Sequence, residues 1–541
     1  MATTKLGRLA KAWVMAAVAF TMADAAAQAP AGDGRFEAFS WVHVPNSLCR
    51  WSSANVTTMV EIAPWTSIPE AARQLNALPA GNRWVMLFIV TDDMANHPKD
   101  RCIRESVELR TSYVSSEPVV RAPSQPKATS AGRVRNPATP KTAPTLVPVT
   151  KRVVVRTVTP FRGPWMEHGV AETRNRIAVI MNGLKAAGAQ VDGVIVDNET
   201  TLDATHFMGK PGSLSAIQSD PRWPALAREL GLPAVVTGMS WGSPLYFAWT
   251  KAMASRFDKA LNDAVYGPIR AAFPKATVSN YCSGNIAASH AWPDINGHVD
   301  VRTTAGFGSH DSHEFYGWMA PGRLGKVTVG TAESPQWVSL RLEVFKIRGM
   351  AASSSRPKHA WIGAKSWVGE AWGPVSLREH AMWDELIIQL AMNGIEDFLH
   401  FSPYLPTDPW SPTAAFTGQL ERDHRALDIV LGEVNRIVGT ASGRTLISAQ
   451  PSWGEKVIAS GLRIGDEIVW RFSFEQGVDS VVVELSDGST ARIVREPGRC
   501  GAWFRHGASL SLLTDGAGKP KVRFGPEPVQ EDQPQAVALA K

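Results

Sequence analysis

Asp197 and Glu199 stand two residues apart at the end of an apolar run, Val191 to Val196, broken only by Asp192 and Gly193. Side chains on a strand alternate faces, so Ile195, Asp197 and Glu199 share one face while Val194, Val196 and Asn198 share the other. Two carboxyl groups at a strand end are the equipment for acid-catalysed cleavage of a glycosidic bond. Glu199 is the natural general acid, because aromatic walls that desolvate it raise its pKa until it holds a proton near neutral pH. Asp197 then stays charged and supports the reacting group, and Asn198 is a candidate substrate contact. An acid so placed contributes about 10² to 10⁴ in rate.

The surrounding elements have the rhythm needed to present such a strand end. A helix-like run over 171–187 and an Ala-Gly turn precede it. Further strands are expected at 36–44, 84–90, 276–282, 326–331, 359–365 and 395–401, with helices near 222–230, 245–271, 336–352 and 376–392. That alternation predicts an α/β fold, a (β/α)8 TIM barrel over 35–438, in which acids at the C-terminal ends of strands tend to be catalytic. The third strand is either 107–114 or 153–158, and 299–304 competes with the count. From about Ser442 the pattern changes to alternating strands around Asp-Gly turns. It predicts a C-terminal antiparallel β-sandwich over 440–525, followed by a disordered tail over 526–541.

The run from Asp192 to Glu199 resembles the Asp-Gly-x-Asp-x-Asp-x-Glu strand of the chitinase-type barrel glycosidases. That resemblance implies Glu199 as the acid and Asp197 as the support of the substrate's N-acetyl group; Ile195 stands where the family has its middle Asp. It also implies that Tyr281, near a later strand end, holds the reacting group. Asn198-Glu199 is similar as well to the strand-four signature of a large clan of retaining glycosidases. By that likeness Glu199 is the acid/base, and the nucleophile is a Glu after strand seven: Glu370 or, alternatively, Glu333. Asp197 and Glu199 lie too close on one strand to flank both faces of a sugar, so any protein nucleophile belongs to another strand.

Composition supports a carbohydrate substrate. The chain has 20 Trp against 6 Tyr, and indole faces stack on the CH faces of sugars while the N–H reaches hydroxyls. Trp41, Trp367, Trp372 and Trp410 fall in expected loops or strand ends, although a single Trp fills a core just as readily. His43 and His400 end the first and last strands and read equally as rim contacts to sugar hydroxyls or as satisfied rim residues, and Tyr404 beside them is a further candidate substrate contact. The cluster from His310 to Glu314 has metal-ligand residue types but not His-Glu-x-x-His spacing, and reads as a polar loop. No metal or other cofactor is expected, and no Gly-x-Ser-x-Gly elbow points to an esterase.

Residues 1–27 have the parts of a secretory signal: Lys5, Arg8 and Lys11, then an apolar stretch, then Ala25-Ala26-Ala27. Export to the periplasm or medium follows, and Cys49 and Cys102 then suit a bridge between neighbouring loops. The net charge of +6 is local: nine Lys/Arg and no acid lie between Pro118 and Met166. With that stretch and the leader set aside, 44 bases face 49 acids. The basic, Pro-rich segment over 115–150 is expected to be a disordered insertion, and nucleic acid is not an expected partner. No segment reads as membrane-spanning. The expected partner is a polysaccharide or oligosaccharide substrate. The rival reading is a non-catalytic carbohydrate-binding barrel whose basic insertion tethers it to an anionic envelope polymer.

Overall fold

A computed structural model describes residues 35–42, 51–63, 66–88, 94, 97–115, 146–198, 213–236, 244–282, 308–315, 335–353, 356–365, 381–402, 412–439, 444–448, 455–516 and 519–524. The N-terminal part runs β1 (Ala38–Trp41), β2 (Val56–Thr58), β3 (Val60–Ile62), α1 (Ile68–Asn76), β4 (Trp84–Leu87), β5 (Ile103–Ser115) and β6 (Leu146–Val158). It continues through α2 (Glu167–Ala186), β7 (Gly193–Asn198), α3 (Ser213–Gln218), α4 (Trp223–Glu229) and α5 (Pro244–Leu261). A π turn, Asn262–Tyr266, leads into α6 (Gly267–Ala272), followed by β8 (Thr277–Cys282), β9 (Asp311–Glu314) and α7 (Pro335–Ser353). Then come β10 (Lys358–Gly363), α8 (Ala381–Met392), β11 (Asp397–Phe401) and α9 (Ala414–Val438).

The fold is mixed α/β with parallel sheets. One sheet has the order β2-β1-β11-β10-β9 and the other β3-β4-β7-β8, all pairs parallel. Only Met59 separates β2 from β3, and at the other end the Ser309 N–H donates to the Val278 carbonyl at 2.8 Å. Alternation sorts the side chains. Val85, Leu87, Val194, Val196 and Val278 pack against Leu75 of α1, Met181 of α2 and Ile269 of α6. Ala360, Ile362 and Phe398 pack against Leu340 and Val344 of α7, Leu386 and Leu390 of α8, and Leu431 of α9. The intervening residues Phe39, Trp41, Met59, Trp84, Met86, Ile195, Trp361 and Leu399, drawn from both sheets, form one cluster on the opposite faces. Each such buried aliphatic side chain contributes about 1.5–3 kcal/mol.

Two expectations are corrected here. Neither 107–114 nor 153–158 enters a parallel sheet: β5 and β6 pair with each other as a 13-residue antiparallel hairpin, with Val107 opposite Val154. The missing strand is β2–β3, whose β-branched run Val56-Thr57-Thr58 carries the usual strand signal. Its shortness, and the Pro64 just beyond, disguise it. Strand β9 likewise falls where a polar loop was expected. Ser115 and residues 146–150, expected within the disordered insertion, are paired strand residues of β5 and β6, while 116–145 and the candidate strands 326–331 and 299–304 lie outside the described residues.

The C-terminal part has strands β12 (Thr445–Ser448), β13 (Val457–Ile464), β14 (Glu467–Phe474), β15 (Ser480–Glu484), β16 (Thr490–Val494), β17 (Gly501–Gly507) and β18 (Val522–Phe524). They make two antiparallel sheets, β12-β13-β14-β17 and β16-β15-β18. Trp470, Phe472 and Phe474 of one and Val481, Val483 and Ile493 of the other share an apolar cluster. Among the described residues no helix is long and apolar enough to cross a membrane.

Candidate active site

Strand β7 is held in place by its own small residue. A side chain at Gly193 would collide with the Trp84 indole, so only glycine lets that ring lie across the strand. Trp84 in turn stacks on Phe39 with centroids 4.1 Å apart. Two residues further along, Ile195 is fully buried in the same aromatic cluster. The strand then runs to Asp197 and Asn198, whose backbones pair in register with Tyr281 and Cys282 of β8. The expected partners Asp197 and Tyr281 are therefore side by side on adjacent strands. Ser279 pairs with Ile195, and its buried Oγ has no hydrogen-bond partner among the described residues. Glu199, Glu370, Glu333, Trp367, His43 and Tyr404 lie outside the described residues.

The strand ends nearby carry aromatic rings and one carboxylate that the sequence reading missed. Trp41 closes β1 and lies 5.8 Å from Phe88, 5.3 Å from Phe401 and 6.3 Å from Trp361, centroid to centroid. Its indole N–H donates to Glu61 Oε2 at 2.7 Å. Glu61 is 6 % exposed and pairs with Met86, which pairs with Ile195, so all three lie in one row across the sheet. The signal for Glu61 was present: Met59 and Glu61 alternate with Val60 and Ile62. It was lost with the strand itself.

His400 is corrected. The two-residue alternation from Phe398 puts it on the helix-packed face, where it is wholly buried. Ser40 Oγ bridges His400 Nδ1 at 2.9 Å and His424 Nε2 of α9 at 2.7 Å. Burial, then the neighbouring His424, holds the His400 pKa well below its ordinary value. It is a neutral core histidine rather than a sugar contact. The expected bridge to Cys49 is also corrected: Cys102 is a free thiol that donates to the Arg162 carbonyl at 3.3 Å, and burial pushes its pKa up to about 12.

The His310–Glu314 cluster is tied into the fold. His310 stacks on His359 with centroids 4.4 Å apart, and Asp311 Oδ1 is 3.3 Å from Arg356. His359 is fully buried and packs edge-on to Trp84 at 5.6 Å. This polar group sits at the start of β9 and β10, at the opposite strand ends from Asp197.

No family model matches the chain, and no curated protein matches it. Solved structures it is similar to are glycoside hydrolases. One is a GH30 endoxylanase from Clostridium papyrosolvens, at 11% identity, a TM-score of 0.30, and coverage of 89% of this chain and 96% of that one. Another is a family 5 glycoside hydrolase from Bacteroides vulgatus, at 9% identity, a TM-score of 0.31 and 91% coverage of both chains. Against an agarase the identity is 13% and the TM-score 0.27, and the match takes in 50% of this chain but only 39% of the agarase.

Proposed function

We propose that the protein is an exported glycoside hydrolase acting on a polysaccharide or glycoconjugate, with Glu199 as general acid. In this reading the two parallel sheets are halves of one (β/α)8 barrel, and the C-terminal sheets form a β-sandwich. Chain order supports it: with β2–β3 counted as one, β7 is the fourth parallel strand and β10 the seventh. Those are the positions at which the retaining clan carries its acid and its nucleophile. The observation that carries the proposal is the passage of β7 from the aromatic cluster at Ile195 to the Asp197–Asn198 end.

In this mechanism the acid protonates the leaving oxygen, and Asp197, on the parity of Ile195, stabilises the positive charge that develops at the anomeric carbon. Glu370, beyond β10, supplies the nucleophile on the other face of the ring. Carboxyl groups about 5–5.5 Å apart give retention through a glycosyl-enzyme, and about 6.5–9.5 Å inversion. Trp41, buried and held by Glu61, braces the strand ends that carry the site. The leader over 1–27 directs export.

The test is a screen of the purified full chain against a broad polysaccharide panel, reading both reducing ends and binding. Release of reducing ends from one polymer class is the expected outcome. Tight binding with no release from any polymer would replace the hydrolase with a carbohydrate-binding barrel.

A further inference from the structure

A turn and a helix bring four metal-binding side chains together. His97 and Asp100 bracket the short turn Pro98–Asp100, three residues apart, while His168 and Glu172 are four apart at the start of α2. The i, i+4 spacing sets side chains one above the other on a helix face. One ligand atom each from His97, Asp100 and His168 lie within 4.8 Å of one another. His97 Nε2 is 3.2 Å from the Glu172 carboxylate, and His168 Nδ1 is 2.7 Å from Asp100 Oδ1. The two imidazoles stack nearly parallel, with centroids 5.6 Å apart.

The cluster is anchored from behind. Asp100 is 2 % exposed, and its Oδ2 accepts the His168 and Gly169 N–H groups, each at 2.9 Å. Gly169 lies so close to the Met94 backbone that any side chain there would strike it. The turn and the helix are thus locked together, and the donors face one another without rearrangement of the backbone. Helix capping accounts for the two bonds to Asp100 Oδ2. It gives no reason for the His168 imidazole to meet the other oxygen, with a ligand atom of His97 within 4.8 Å of one from each and Glu172 beside His97.

We propose that His97, Asp100, His168 and Glu172 form a binding site for a divalent transition-metal ion, with zinc the best match. Two imidazoles and two carboxylates are a nitrogen and oxygen donor set that suits four-coordinate zinc, whereas calcium and magnesium favour all-oxygen shells. Loading His97 at Nε2 places the ring proton on Nδ1, so the 3.2 Å contact with the Lys99 N–H is given up on binding. The ion would staple the segment after β4 to the helix that leads into β7.

The test uses zinc itself. The full chain is stripped with a chelator and titrated with zinc by calorimetry, beside a His97→Ala/His168→Ala double variant and a Glu172→Gln variant. Glu172 is well exposed, so its variant keeps the fold whatever becomes of the double variant. The wild type is expected to take up one zinc ion per chain with a rise in melting temperature. The double variant loses both effects. Glu172→Gln weakens uptake by at least the roughly tenfold that losing even an outer-shell partner costs. Equal uptake by all three proteins, or none by the wild type at micromolar zinc, would overturn the proposal and leave Asp100 as a helix cap only.

Discussion

Gly193 does for β7 what no other residue can, because the Trp84 indole occupies the space a side chain would need. Gly193→Ala should therefore destabilise the protein by about 1–3 kcal/mol, the usual cost of overpacking a core. Urea unfolding measures this, and an unchanged midpoint would show that Trp84 can swing aside. At this scale the chain was partly readable. The Asp197 strand lies where its apolar run placed it, and Asp197 and Tyr281 are neighbours in register. His400 was misread although the signal was in hand: Phe398 and His400 share a face, and Phe398 is a helix-packed core residue. Position at a strand end was given weight that alternation should have had.

Among the elements, the join between the parallel-sheet part and the C-terminal strands combines apolar packing of Ile458 and Leu462 with buried polar side chains, and no periodicity reveals the latter. Glu385 of α8 accepts Arg471 Nε at 2.8 Å, Arg471 Nη2 at 2.7 Å and Ser473 Oγ at 2.6 Å, all buried. Gln389 of α8 and Asn393, just past its end, continue the network to Ser460, and Arg348 of α7 closes it. Glu385→Ala leaves the Arg471 guanidinium buried without its main partner and should cost about 3–5 kcal/mol. A loss below about 1 kcal/mol in urea unfolding would show that Glu496, 3.1 Å from Arg471, is compensation enough. The hairpin was misjudged for a related reason. Segments 107–114 and 153–158 have strand composition, but composition does not name the partner. Here each finds the other, because their residues are mostly exposed and suit a ribbon rather than a buried parallel strand.

Over the whole molecule, buried ionisable groups set a pH dependence. Burial, tempered by Arg356 and reinforced by Asp311, pushes Asp258 up to about 8. Burial, against the pull of Lys358, raises Glu396 to about 7. Both carboxyls hold protons in the folded state that the unfolded chain releases near pH 4, so their contribution is full below that and is lost as pH rises to about 8. His310 and His424, lowered to about 4 chiefly by burial, act oppositely, and stability rises with pH between about 4 and 6.5 on their account. Above about pH 6.5 only the carboxyls remain, and the melting temperature should fall as pH climbs to about 8. Asp258→Asn should flatten that fall, and an equally steep slope in the variant would show that Asp258 is ionised throughout. The alternation of parallel strands and helices was legible from hydrophobic rhythm, and so was the antiparallel C-terminal part. The strand count was not, because β2–β3 and β9 are short and partly polar.

The central claim is that Glu199 delivers the proton to the leaving oxygen. Its most direct test is the turnover of Glu199→Gln on a polysaccharide that the wild type cleaves, with binding of the same polymer measured in parallel. The account predicts a kcat lower by about 10² to 10⁴ with binding retained. Undiminished turnover in the variant would contradict it and move the acid to another strand.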